Sequence, residues 1–185
     1  MSFTLTEDDG RILLQTAREA IAARLALRAP RYPSPTPALS AHSGAFVTLR
    51  ADTQLRGCIG HITSSRPLAE TVREVALSSA FEDPRFSPLR AEEWGRISLE
   101  VSVLSPFEQI TDVDRIQVGV HGIMVRQGSR SGLLLPQVAG EQGWDRDTFL
   151  SHTCLKAGLP RDAWTRPQTR IEIFSAQVFA EKEQR

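Results

Sequence analysis

The chain is poor in cysteine, lysine and tyrosine, carries no net charge and has no long apolar run. Cys58 and Cys154 are the only two cysteines in 185 residues. That is too few for a disulfide framework, and they form no C-x-x-C pair. Such usage predicts a reduced, cytoplasmic protein. Basic and acidic residues both number 22, so no bulk field draws in nucleic acid, anionic lipid or an acidic substrate. Lys156 and Lys182 are the only lysines among those basic residues. The arginine excess reads as codon bias of a GC-rich genome before it reads as selection for bidentate anion contacts. No apolar stretch approaches the roughly 20 residues of a membrane-spanning helix. The opening Met1-Ser2-Phe3-Thr4-Leu5-Thr6-Glu7-Asp8-Asp9 lacks the basic and apolar regions of a signal peptide. Aromatic residues make up 6%, and Trp94, Trp144 and Trp164 are too scattered to form a stacking platform for bases. No Rossmann or P-loop fingerprint is present, so no nucleotide cofactor is assigned.

What is present is an ordinary globular composition. Hydrophobic residues make up 41% and charged residues 24%. The length predicts one domain, or one domain with a small lobe, and an ample core. Thr6 and Asp9 are spaced as a capping box, and Leu14, Ala17, Ile21 and Leu25 share a helical face. A first helix is expected to run to about Arg28. Residues 30–44 hold four prolines and read as a loop. Residues 45–50 and 55–62 read as a hairpin across Ala51-Asp52-Thr53-Gln54. Ser64 or Ser65 is the expected cap of a second helix, which buries Leu68, Val72, Val75 and Ala76 and ends near Phe81.

Residues 96–104 give the clearest strand, with Ile97, Leu99, Val101 and Val103 alternating against Ser98, Glu100 and Ser102. Residues 122–126 and 133–135 flank a second hairpin turn. Asp147 is the expected cap of a helix carrying Phe149, Leu150, Thr153, Cys154 and Ala157, which Gly158 and Pro160 end. Residues 170–180 read as one closing strand. Helices and antiparallel hairpins mix without strict alternation, so the fold class is α+β, a mostly antiparallel sheet with flanking helices.

The segment Leu55-Arg56-Gly57-Cys58-Ile59-Gly60 stands out. Strand interiors avoid glycine, so two of them mark a place where backbone, ligand or partner comes close. Alternation places Arg56 and Cys58 on one face and Gly57, Ile59 and His61 on the other. Arg56 then offers the Cys58 sulfur an electrostatic partner, the setting of a reactive thiol. The competing reading makes Cys58 a small buried hydrophobe, with Arg56 pointing outward. Cys58 and His61 face opposite ways and fall short of a zinc ligand set, so no metal is assigned. In the loop Glu82-Asp83-Pro84-Arg85, Asp83 serves either as a general acid or base or as a turn residue paired with Arg85.

Several blocks of this chain resemble the AMMECR-one domain family, named for the Alport syndrome, midface hypoplasia and elliptocytosis chromosomal region. They are residues 44–49, the hexapeptide 55–60, Asp83-Pro84-Arg85-Phe86-Ser87-Pro88, residues 99–104 and residues 132–139. Trp144-Asp145, residues 154–160 and Trp164 complete the match, which covers nearly the whole chain in order. The chain looks like the short prokaryotic form, called protein A of the AmmeMemoRadiSam system. The resemblance implies a single domain over residues 1–185, an α+β fold with a larger and a smaller lobe, and an activity that is not established. It also implies a Memo-like protein and a radical SAM protein as partners.

Two main functional readings follow. In the first, the protein is an accessory or enzymatic component of a redox or radical-linked modification system. Cys58 is then the functional thiol, Arg56 its partner, and Gly57, Gly60, Asp83 and Arg85 the binding residues. In the second, it is a non-catalytic scaffold that docks through the hexapeptide edge and the 83–88 loop, with β-augmentation favoured by an exposed strand edge. A third and weaker reading, nucleic-acid association through a local arginine patch, is not supported by the neutral charge.

Overall fold

The computed structural model describes residues 4–181, so the Met1-Ser2-Phe3 part of the amino-terminal reading lies outside the described residues. The chain folds as two compact units. One runs up to Leu104 and resumes at Gln177, and the other is Ser105–Ala176. Each unit has its own antiparallel sheet and its own apolar core. The expected α+β class holds.

In the first unit, helix α1 (Glu7–Leu25) opens with the predicted capping box of Thr6 and Asp9. It stops short of Arg28. Leu27 takes φ +51, and the Arg28 N–H returns to the Ala23 carbonyl, which closes the helix. Strands β1 (Ala45–Ala51) and β2 (Gln54–His61) form the expected hairpin. Helix α2 (Leu68–Phe81) follows, then β3 (Ile97–Leu104) and, after the excursion into the second unit, β8 (Ala176–Ala180). The sheet order is β2-β1-β3-β8, so β2 lies at an edge. Val47 and Leu49 of β1 and Leu99 and Val101 of β3 are fully buried with α1 and α2. By alternation and register, Phe46, Thr48, Cys58, Gly60, Glu100 and Ser102 take the other face.

The second unit contains β4 (Glu108–Ile110), β5 (Gly122–Gln127), β6 (Arg130–Leu134), α3 (Pro136–Gln142), α4 (Arg146–Lys156) and β7 (Arg170–Phe174). Its sheet order is β4-β7-β5-β6. Phe149, Leu150 and Cys154 of α4 fill its core with Ile123 and Val125 of β5.

Four local expectations change. The cap residue of α2 is Pro67, which makes no side-chain bond, while the Ser64 hydroxyl accepts from the Arg66 N–H and from Thr71. Asp145 rather than Asp147 caps α4, accepting from the Thr148 N–H at 2.8 Å. The closing strand is two strands, because the chain leaves one sheet and joins the other at Ser175. The second hairpin turns in two residues, Gly128 and Ser129, and Gly128 supplies a positive φ. No helix among the described residues is long and apolar enough to cross a membrane.

Candidate functional site

The hexapeptide lies on β2, and its two glycines answer to packing. A Cβ on Gly57 would stand 2.1 Å from the Ser79 carbonyl oxygen of α2. Only glycine lets the helix end come this close to the sheet. A Cβ on Gly60 would meet the Phe46 ring at 2.3 Å. Phe46 is its cross-strand partner, so the ring covers the bare backbone. What comes close is therefore this chain's own helix and its own aromatic ring.

Ser79 also enters the sheet. Its hydroxyl accepts from the Ile59 N–H at 2.8 Å and donates to the Val47 carbonyl at 2.8 Å. Val47 and Ile59 are cross-strand partners. The side chain is buried, so the hydroxyl joins helix and hairpin in a setting where an unmade bond is costly.

The outer edge of β2 is closed at Cys58 by the loop that follows α2. The Asp83 carboxylate accepts the Cys58 N–H at 2.9 Å, and the Arg85 guanidinium donates to the Cys58 carbonyl at 3.1 Å. Asp83 and Arg85 are themselves paired at 2.8 Å, and Asp83 also accepts the Arg85 N–H at 3.1 Å. Acceptor and donor stand where a neighbouring strand would supply them. The Asp83 side chain is 2% exposed and that of Arg85 53%. Hydrogen bonding from Arg85 holds the Asp83 carboxyl well below the usual aspartate range, against its burial and with help from the Cys58 N–H. Arg85 is raised in turn, chiefly by Asp83 and in smaller part by the nearby Cys58.

Arg56 is engaged elsewhere. A β-bulge interrupts the β1–β2 register at this point, with Leu49 opposite Gly57 and Arg50 opposite Leu55. The Arg56 guanidinium binds both carboxylate oxygens of Glu93, at 2.8 and 3.1 Å, and the Ser87 carbonyl at 3.0 Å. Glu93 is lowered in response, first by this pairing and then by the Arg90 N–H. The Phe86 ring centroid is 5.8 Å from the Arg56 guanidinium carbon and 5.5 Å from that of Arg85. The expected pairing of Arg56 with the thiol is thus replaced by a pairing with Glu93. Arg85 is the guanidinium bonded to the Cys58 residue.

The Cys58 thiol is half-buried rather than sealed. The Thr48 hydroxyl donates to its sulfur at 3.3 Å. Thr48 lies directly opposite Cys58 on one side and Glu100 on the other, so thiol, hydroxyl and carboxylate form one row across three strands. Directly opposite residues on antiparallel strands bring their Cβ atoms within about 5.5 Å. His61 belongs to the opposite face and lies 3.4 Å from Glu74 of α2. Among the described residues no cluster of three or more His, Cys, Asp or Glu could hold a metal ion. Cys154 is fully buried, and burial pushes its thiol up.

Sequence reasoning located Cys58, Asp83 and Arg85 but missed Thr48, Ser79 and Glu93. Thr48 could have been found from the hairpin register, given the position of the bulge. Ser79 and Glu93 carry no local signal, because their partners lie 20 and 37 residues away.

Comparison with known proteins gives a consistent result. The AMMECR1 family profile matches residues 14–179. Protein MK0488 of Methanopyrus kandleri is 47% identical, over 99% of this chain and 93% of its own. A protein of Thermococcus gammatolerans is 43% identical, over 97% of this chain and 94% of its own. The crystal structure of an uncharacterized protein of Pyrococcus horikoshii, PH0010, superposes with a TM-score of 0.84 at 41% identity. That comparison covers 97% of this chain and 94% of the Pyrococcus chain.

Proposed function

The chain belongs to the AMMECR1 family, and we propose that within it Cys58 is a functional thiol of a redox or radical-linked modification system. Memo-like and radical SAM proteins would be its partners. The observation that carries this reading is a half-buried thiol on a backbone fixed from both sides. Asp83 holds the Cys58 N–H, Arg85 holds its carbonyl, and the Thr48 hydroxyl reaches its sulfur. A reactive group held this way needs little further ordering when a partner presents a substrate. Asp83 and Arg85 are positioning residues in this proposal, and Arg56 braces the bulge through Glu93. Glu100 belongs to the same cross-strand row, one strand beyond Thr48.

The scaffold reading survives in altered form. With the β2 edge closed at Cys58, β-augmentation there would first have to displace the Asp83–Arg85 pair. Docking would use the Cys58 face instead. The arginine-patch reading gains nothing, because arginines such as Arg18, Arg28, Arg56 and Arg126 are bound to carboxylates of the chain itself.

The test is a reconstituted reaction with both partners and the Cys58→Ala protein. Loss of turnover with retained partner binding and an unchanged unfolding midpoint supports a thiol role. Full turnover overturns it. Loss of binding as well as turnover favours docking.

A further inference from the structure

The Cys58 face of the first sheet carries polar groups that the chain itself leaves unused. Thr48 is their centre. Cys58 lies opposite it on β2, Glu100 lies opposite it on β3, and Arg50 is the next residue of β1 on the same face. Directly opposite side chains start within about 5.5 Å of each other and diagonal ones within about 8 Å. Half-buried Glu100 and exposed Arg50 are therefore diagonal neighbours of opposite charge, yet they do not pair. Neither makes a hydrogen bond or ion pair among the described residues. Other arginines of this unit behave differently, since Arg56 holds Glu93 and Arg85 holds Asp83. Asp52, two residues beyond Arg50, is taken by Arg96. Ser102 gives a second, independent sign. It follows Glu100 on this face, is 5% exposed, and its hydroxyl has no partner among the described residues. A buried hydroxyl without a bond is costly, and a bound polar molecule would supply the missing partner. A free cation and a free anion one diagonal apart fit a ligand that carries both charges. An anion alone would leave Glu100 unmatched, and a phosphate would be repelled by it.

We propose that this face binds a small zwitterion of the amino-acid type and presents its reacting atom to Cys58. The ligand carboxylate meets the Arg50 guanidinium, which can give it two parallel bonds. The ligand ammonium meets Glu100, and the Ser102 hydroxyl bonds the ligand beside it. The inference rests on Cys58 being the functional thiol and adds the class of its substrate.

The test uses small symmetric disulfides on the full chain. The probes are 2-hydroxyethyl disulfide, uncharged; dithiodiglycolate, anionic; cystamine, cationic; and cystine, zwitterionic. In each case the Cys58 thiolate attacks one sulfur, the S–S bond breaks, and the other half leaves as a thiolate with the electron pair. The rate of adduct formation at Cys58, read by mass spectrometry, is divided by the rate with the uncharged disulfide. That division cancels any change in thiol nucleophilicity between variants. Arg50→Gln should lower the ratio for cystine and dithiodiglycolate at least about fivefold, the effect of one contact charge pair in water. Glu100→Gln should lower the ratio for cystine and cystamine to a similar extent, so that cystine alone is slowed by both. Ratios that stay at wild type in both variants overturn the proposal and leave the thiol reading standing. An effect of Arg50→Gln without one of Glu100→Gln also overturns it, because the face then selects an anion, and the converse result makes it a cation site. A Cys58 that the uncharged disulfide fails to modify overturns both readings.

Discussion

Strands β2 and β6 each lie at the edge of a sheet, and each sets a glycine beneath the end of a helix. On β2, Gly57 meets the Ser79 carbonyl, and on β6 a Cβ at Gly132 would stand 2.4 Å from the Ala157 nitrogen. Both regions contain one of the two cysteines, yet the surroundings differ. Cys154 is sealed among Phe149, Leu150 and Ile123. Cys58 is half-exposed and wrapped in polar bonds from Thr48, Asp83 and Arg85. The same steric device thus supports an inert apolar core in one unit and a wired, accessible thiol in the other. A buried carboxylate such as Asp83 is costly to hold, and close packing alone does not require one, as the β6 region shows.

The widest separation between the two regions should appear in thiol labelling. Cys58 should react in the native state, whereas Cys154 should wait for its unit to open. Opening against ordinary native stability slows a buried site at least about a thousandfold. Comparable labelling rates under native conditions would erase the contrast. Next in size is Asp83→Ala, which strands the Cys58 N–H and the Arg85 N–H. It should cost about 3 kcal/mol in urea unfolding, because two backbone N–H groups lose their acceptor, while the half-exposed Arg85 guanidinium stays hydrated. Asp83 also gives the first unit an acid dependence. Its folded pKa lies below its unfolded value, so its contribution is complete above the ordinary aspartate pKa of about 3.9. It is lost as pH falls below that value and through the folded pKa, and Asp83→Asn should flatten this part of the stability curve. An Asp83→Asn profile matching wild type would remove the carboxylate from the account. The smallest effect is expected from Gly57→Ala and Gly132→Ala, about 2 kcal/mol each, since backbone must shift in both. If only one of them destabilises, the two helix–glycine contacts are not equivalent.

Much of the fold was legible in the sequence where the signal is local. The capping box of α1, the alternation of β3 and the hairpin of β1 with β2 depend on neighbours a few residues apart. The break at Ser175 has only a faint signal. The apolar phase shifts from Ile171 and Ile173 to Phe174 and Ala176, and Ile173 and Phe174 are both buried, but no proline or glycine marks the passage from one sheet to the other. Helix α3 carried a signal that was passed over, Pro136 at its start and Gly143 at φ +64 after its end. The site was legible as a place rather than as a wiring. The hexapeptide and the 83–88 loop announce themselves, but the choice of Glu93 for Arg56 depends on a bulge and a 3-10 turn far apart in sequence.

The Ser79 hydroxyl has a further consequence for how the first unit comes apart. An edge strand ordinarily frays first, exposing its amides to solvent exchange well before the core opens. Here the Ile59 N–H and the Val47 carbonyl are both bonded to a buried helix hydroxyl, so fraying of β2 must also break the Ser79 bonds. The Ile59 amide is therefore expected to exchange more slowly than an ordinary edge-strand amide, a brake that the helix sets on the strand carrying the thiol.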